Sequence, residues 1–257
     1  MKHINTIFSQ LLVAIPKHRF NAVVKRYQGD KRIRNLSCWT QFCVMLYGQL
    51  CSRQSLRDVV SAWDSHGNMH YHLGVRSAKR STLSEANAKR SSGMYLEIFY
   101  WLLGQTRDQI IKHKDAVRLI DSTTIDLCKQ QFDWATFRSG KSGVKMHTVY
   151  DPDAKVPTFF SITTASKHAK KAAENMPLLD GATYVFDRAY NDYGWYHDIT
   201  LRDIRFVGRM KTNAKFEVQE DLPVSEDGVL EDQLIRLSSP KAKKECPIIL
   251  RRVRFKR

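Results

Sequence analysis

The sequence predicts an α+β chain in two parts, all-helical over residues 1–114 and built of short strands with intervening helices over 115–257. Three observations carry that prediction. Apolar residues recur at helical spacing through the front part. From Val117 onward they come instead in short runs bounded by turn residues, two of the runs ending in an aspartate. Charge divides at the same place: residues 1–116 hold 18 Lys and Arg against 7 Asp and Glu, the remainder 24 against 19.

In the helical part, Ile4, Ile7, Phe8, Leu11, Leu12 and Ile15 form one stripe that stops at Pro16. Phe20, Val23, Val24 and Tyr27 repeat the pattern before Gly29, and a basic loop, Lys31-Arg32-Ile33-Arg34, follows. A third helix runs from Ser37 to about Leu50. Ser55 is the N-cap of a fourth, whose Leu56, Val59, Val60 and Trp63 share a face. Thr82 and Glu85 read as a capping box that opens a basic helix through Arg90, and residues 92–113 as a last, aromatic-rich helix. The helix from Ser55, a turn containing Gly67 and the basic helix after Arg80 suggest a helix-turn-helix. Arg80, Ser84, Asn87, Lys89 and Arg90 would then face DNA. The alternative is a helical bundle with a solvated charged face.

In the second part, Val117 to Asp121, Val144 to Tyr150 and Val156 to Thr163 read as strands, the last two joined by Asp151-Pro152-Asp153. A helix is expected over 169–179, a strand over Thr183 to Phe186 and a helix around Trp195 to Arg202. A further strand covers Arg205 to Met210, and a strand-like, charged segment fills 214–257.

Composition excludes several classes. With 42% hydrophobic and 26% charged residues the chain is neither disordered nor membrane-embedded. Its longest apolar run, Ile98 to Leu103, is far too short to span a bilayer. Lys17, His18 and Arg19 follow the first apolar stretch where a secretory cleavage site would stand. Five cysteines without a CxxC pair suggest reduced thiols in a cytosolic protein. Cys38, Cys43, Cys51, His70 and His72 match no zinc spacing and read as packing residues. The net charge of +16 favours a polyanionic partner such as nucleic acid, the rival being a merely basic soluble protein.

Asp121, in Leu-Ile-Asp-Ser-Thr-Thr, and Asp187, in Val-Phe-Asp-Arg-Ala-Tyr-Asn-Asp, both close an apolar strand. Carboxylates at neighbouring strand ends suit a hard cation such as Mg²⁺, which takes oxygen ligands from carboxylate and phosphate alike. Spacing alone leaves open that they are turn formers. Arg188 and Tyr190 could touch a phosphate or a displaced base, or pack at a helix start. Lys145 and His147, on one strand face, could contact phosphate or stand as paired strand residues. Ser122 and Thr123 read as orienting Asp121, and Asp126, Asp151 and Asp192 as turn or cap residues.

The strings Leu119-Ile120-Asp121-Ser122-Thr123-Thr124 and Asp187-Arg188-Ala189-Tyr190-Asn191-Asp192, with Gly143-Val144-Lys145-Met146-His147-Thr148-Val149-Tyr150-Asp151 between them, resemble DDE transposases of bacterial insertion sequences. The segments Gly29-Asp30-Lys31-Arg32, Leu36-Ser37-Cys38-Trp39, Ser55-Leu56-Arg57-Asp58, His72-Leu73-Gly74 and Arg80-Ser81-Thr82-Leu83 are similar to the N-terminal domain that accompanies the member type with an inserted β-domain. The resemblance implies a helical DNA-binding domain over 1–114 and an incomplete ribonuclease-H-like α/β core over 115–257, with 214–257 the start of the β-insertion. It implies Mg²⁺, or Mn²⁺, on Asp121, Asp187 and a glutamate. The partners implied are element ends and target DNA, with a homodimer in the synaptic complex. The location implied is the bacterial cytoplasm, at the nucleoid and away from membranes.

The sequence departs from the family in one respect. The family's glutamate lies in a word Tyr-x2-Arg-x3-Glu-x6-Lys, and no Tyr follows Tyr196. Glu217, Glu220, Glu226, Glu231 and Glu245 all fall in the strand-like segment. The expectation is a C-terminally truncated transposase, with one sheet face left uncovered. The alternative function is a catalytically incomplete fragment that binds element ends and competes with full-length transposase.

Overall fold

A computed structural model describes residues 6–106, 116–127, 135–138, 141–166, 169–224 and 226–256. The chain divides into two compact units, 1–107 and 108–257. The expected boundary at 114/115, the expected helical stretch over 107–113, Ile4 and Cys128 lie outside the described residues.

Unit 1 is helical throughout. Its helices are α1 (Ile7–Val13), α2 (Lys17–Arg26), α3 (Cys38–Leu50), α4 (Leu56–Asp64), α5 (Gly67–Leu73), α6 (Arg80–Lys89) and α7 (Gly93–Gln105). Hydroxyl caps open three of them: Thr6, Ser37 and Ser55 accept from the backbone N–H of Ser9, Thr40 and Asp58. The stripes of α2, α3, α4 and α7 meet in a core that buries Phe20, Trp39, Val44, Trp63, Leu83 and Met94. Both buried indoles donate to backbone carbonyls, Trp39 to Leu73 at 2.9 Å and Trp63 to Arg76 at 3.2 Å, so neither polar edge is stranded. Gly48 lets α3 approach α4, since a Cβ there would lie 2.8 Å from a Val59 methyl. Two expectations are corrected. Gly67 opens α5 instead of forming a turn, so a whole helix separates α4 from α6. Thr82 and Glu85 do not open α6, which starts at Arg80 after Lys79 and has no side-chain cap.

Unit 2 is built on a mixed sheet. Its strands are β1 (Val117–Leu127), β2 (Thr136–Arg138), β3 (Lys141–Asp151), β4 (Val156–Thr164), β5 (Thr183–Phe186) and β6 (Arg205–Gly208). The order is β4-β3-β1-β5-β6, with β2 meeting the first residues of β3. β1, β3 and β4 are antiparallel neighbours. β5 and β6 run parallel to β1 and are reached through the helices α8 (Ala169–Ala173) and α9 (Tyr193–Leu201). Asp192 caps α9 by accepting from Trp195 N–H at 3.0 Å. Alternation sets the faces: Arg118 and Ile120 are buried while Val117, Leu119 and Asp121 are exposed. The buried side packs Ile120, Val149, Tyr184, Phe186, Trp195 and Ile199 together. At the β3–β4 turn Asp151, fully buried, accepts from the N–H groups of Asp153 and Ala154 and pairs with buried Arg118 at 3.0 Å.

A second, antiparallel sheet follows, β7 (Phe216–Asp221), β8 (Val229–Leu237) and β9 (Ile249–Phe255), with α10 (Pro240–Glu245) between the last two. Leu237, Ala242 and Cys246 tie its base into the core that holds α9.

Candidate active site

The parallel register of β1 and β5 brings the two aspartates together. Ile120 pairs with Phe186 on the last shared rung, and Asp121 and Asp187 are the next residue on each chain. Adjacent strands lie about 4.8 Å apart, so the two backbones leave this rung as near neighbours. Both carboxylates are exposed. Asp121 does not end its strand as expected: β1 continues to Leu127 against β3, and Asp121 marks where β1 parts from β5. Asp187 directly follows β5 and caps the 3-10 turn Arg188–Tyr190, its Oδ1 accepting from Ala189 N–H at 2.8 Å. That bond fixes the carboxylate's direction.

Beneath the pair lies a buried polar chain. Tyr190 and His147 are fully buried, and the Tyr190 hydroxyl lies 3.0 Å from His147 Nδ1. His147 Nε2 lies 3.0 Å from Thr163 Oγ1 on β4, and Ser122, next to Asp121, hydrogen-bonds Tyr190. Burial pushes the Tyr190 phenol up to about 12, and the negative charges of Asp121 and Asp187 add to it, so it stays a neutral hydroxyl.

These positions revise the sequence-based list. His147 and Tyr190, expected at a DNA surface, are interior residues that link β1, β3, β4 and the Asp187 turn. Arg188 is exposed and Lys145 half-buried. In unit 1, Arg80 is exposed, and Lys89 is exposed but bonded to Glu85 at 2.6 Å. The Arg90 side chain is only 6% exposed; it donates to Gln41 Oε1 at 2.7 Å and to the Leu36 carbonyl. Asn87 accepts from Gln41 at 2.6 Å. The α6 face expected to read DNA therefore turns Asn87 and Arg90 toward α3. Sequence reasoning missed the link through Ser122 and Thr163, although strand alternation already put Ser122 on the buried face of β1.

A family model described as "Transposase DDE domain" matches residues 112–256, more than half of the chain. The chain belongs to the DDE transposase family. Residues 3–76 match a second model, a domain of unknown function (DUF4372). Among curated relatives, the chain is 39% identical over 181 residues to "Putative transposase y4zB" of Sinorhizobium fredii, covering 68% of this chain and 50% of the relative. It is 29% identical over 118 residues to "Probable transposase for insertion sequence element IS5377" of Geobacillus stearothermophilus, covering 46% and 31%. The chain thus spans about half the length of the first relative and about a third of the second.

Within this DDE domain the glutamates after Asp187 stand apart from the aspartate pair. Glu217 and Glu220 lie on β7, Glu231 on β8 bonded to Arg252 and Arg254, and Glu245 at the end of α10 and not in a strand as expected. Among the described residues no three His, Cys, Asp or Glu side chains form a group that could hold a metal ion. No described helix is long and apolar enough to cross a membrane.

Proposed function

We propose that this chain acts in DNA transposition, with residues 1–114 holding element ends and the core from 115 onward carrying strand cleavage and transfer. The observation that supports this most is the β1–β5 register that puts Asp121 and Asp187 side by side where the parallel pairing of the two strands ends, at the carboxyl end of β5, the side on which open α/β sheets hold their ligands. The strand order, an antiparallel β4-β3-β1 continued by parallel β5 and β6, agrees with a ribonuclease-H-like core.

The donor set fits a divalent cation in part. Asp121 and Asp187 offer hard carboxylate oxygens, the type Mg²⁺ or Mn²⁺ takes, and water and substrate phosphate would fill the remaining positions. A bound cation would supply charge neutralisation at the attacked phosphate. The chain's own part is to orient: the 3-10 turn aims Asp187, and the Ser122–Tyr190–His147 chain holds that turn against β1 and β3. Arg188, exposed beside Asp187, would meet a phosphate oxygen in this reading. Two copies of the chain, one per element end, complete the reading, with the cytoplasm as its setting.

A binding-only role is the second reading, favoured by the position of every described glutamate after Asp187 away from the pair. One experiment separates the two: Mg²⁺-dependent cleavage of DNA carrying the element's ends, with gel-shift binding in parallel. Cleavage that Asp121→Ala and Asp187→Ala both abolish while binding persists supports the enzymatic reading. Binding without cleavage supports the second. Cleavage that survives either substitution would sink the metal assignment.

A further inference from the structure

We infer that duplex DNA runs along α2 and the turn that follows it, and not along α6. This rests on the reading of unit 1 as the DNA-binding part. Residues 17–34 hold seven Lys and Arg against a single acid, Asp30. Asp30 does little to neutralise them, because its Oδ1 already accepts from Cys38 N–H at 2.7 Å and faces Arg90 at 3.6 Å. On the buried face of α2, Phe20, Val23 and Val24 enter the core. The other side carries Lys17, Asn21 and Lys25 at four-residue steps, all exposed, and Gln28 and Lys31 continue the line. Together with Trp39 these residues line an open cleft of about 570 Å³.

Spacing fits a phosphate track. Lys17 and Lys25 stand about 12 Å apart along the helix axis at 1.5 Å per residue. That is about three to four phosphate steps of one strand at 3.4 Å each. The turn is pre-shaped: Gln28 and Arg32 take left-handed backbone, and Lys31 N–H and Ile33 N–H donate to the carbonyls of Gln28 and Asp30. Lys31, Arg32 and Arg34 are all exposed, and among the described residues none of them, nor Lys17 or Lys25, pairs with a carboxylate. By contrast two of the cations along α6 are committed, Lys89 to Glu85 and Arg90 to the α3 side, which leaves Arg80 exposed at its start. Lys17 Nζ donates to the Gly74 carbonyl and sits over the Trp39 ring, so the ammonium group is held at a fixed place in the cleft. Asn21 and Gln28 add neutral donors for phosphate oxygens.

Salt dependence of binding reads the number of phosphates neutralised, about −0.9 in log–log slope for each. The experiment measures fluorescence anisotropy of a labelled mixed-sequence duplex with the full chain across a salt series. The variants are Lys25→Gln/Lys31→Gln/Arg34→Gln and, as the control, Arg80→Gln/Lys89→Gln. All five residues are exposed, and circular dichroism checks that helicity is kept. The expected result is a slope shallower by close to 3 in the α2 variant, with the α6 control near wild type. A wild-type slope in the α2 variant, or a larger loss in the control, overturns the α2 track while leaving DNA binding standing. A wild-type chain that binds no duplex at low salt overturns both.

Discussion

At the scale of single residues, the most informative atom near the aspartates is the Tyr190 hydroxyl, which joins Ser122 and His147 inside the protein. Removing one partner from a buried hydrogen-bond pair costs about 1–3 kcal/mol, because the other group stays desolvated. Tyr190→Phe should therefore lower unfolding free energy by that amount in urea titration. The exposed neighbour change Arg188→Gln should stay within about 0.5 kcal/mol. Equal stability of the two variants would mean that the hydroxyl holds nothing. The cysteines make a second residue-scale case. Burial pushes the thiols of Cys38 and Cys43 up to about 12, and for Cys38 a bond to Asp30 adds to the rise. The thiolate is the reactive form, so iodoacetamide at about pH 8 should alkylate exposed Cys51 and leave Cys38, Cys43 and Cys246 until the chain unfolds. Peptide mass spectrometry reads this directly, and early labelling of Cys43 would contradict a tight α3 core.

At the scale of elements, β9 is held to β8 by charge as much as by backbone. Arg251 bonds both oxygens of Asp232, at 2.9 and 2.5 Å, and Arg252 and Arg254 converge on Glu231. These guanidinium bonds hold both carboxyls below the usual carboxylate range. A depressed acid contributes stability above its unfolded pKa and loses it as pH falls through its folded one. β9 amides should therefore keep their exchange protection at neutral pH and lose it, relative to β1, below about pH 4. Glu231→Gln should cause part of that loss at neutral pH, and unchanged protection in both tests would reduce these pairs to ornament. The basic run Arg251-Arg252-Val253-Arg254 is thus largely spent within its own sheet. What was legible in the sequence follows element length and capping. β5 came out at its expected bounds because its apolar run stops at Asp187, and α3 and α4 because Ser37 and Ser55 cap them. β1 runs six residues past its apolar signal: beyond Asp121 it faces β3 and solvent, and its polar residues carry no such signal. α5 is masked in the sequence by Gly67, a breaker by composition that costs little at a helix's first residue. α10 was missed although Ser239-Pro240 is a cap followed by a first-turn proline. The aspartates themselves were legible, but the polar chain beneath them needed the β3–β4 register.

At the scale of the whole molecule, charge and apolar surface pull in opposite directions. One face of the mixed sheet is packed by the core around Phe186 and Trp195, while Leu119, Val185 and Val207 form a row across the other face. Leu119 is 37% and Val207 58% exposed, and Val207 lies on β6, an edge strand. Exposed apolar rows beside an unpaired edge favour contact between copies. A net charge of +16 opposes that contact through long-range repulsion, which salt screens with a Debye length of about 10 Å at 0.1 M. Self-association should therefore strengthen as salt rises, whereas DNA binding weakens over the same range. Sedimentation velocity without DNA separates the two effects. Leu119→Thr/Val207→Thr keeps β-branched or strand-compatible side chains while removing the apolar row, so it should leave the far-ultraviolet spectrum intact and abolish the salt-induced association. Association that persists in this variant would place the contact elsewhere. Association that falls with salt would make it electrostatic, and the uncovered sheet face would then play no part in it.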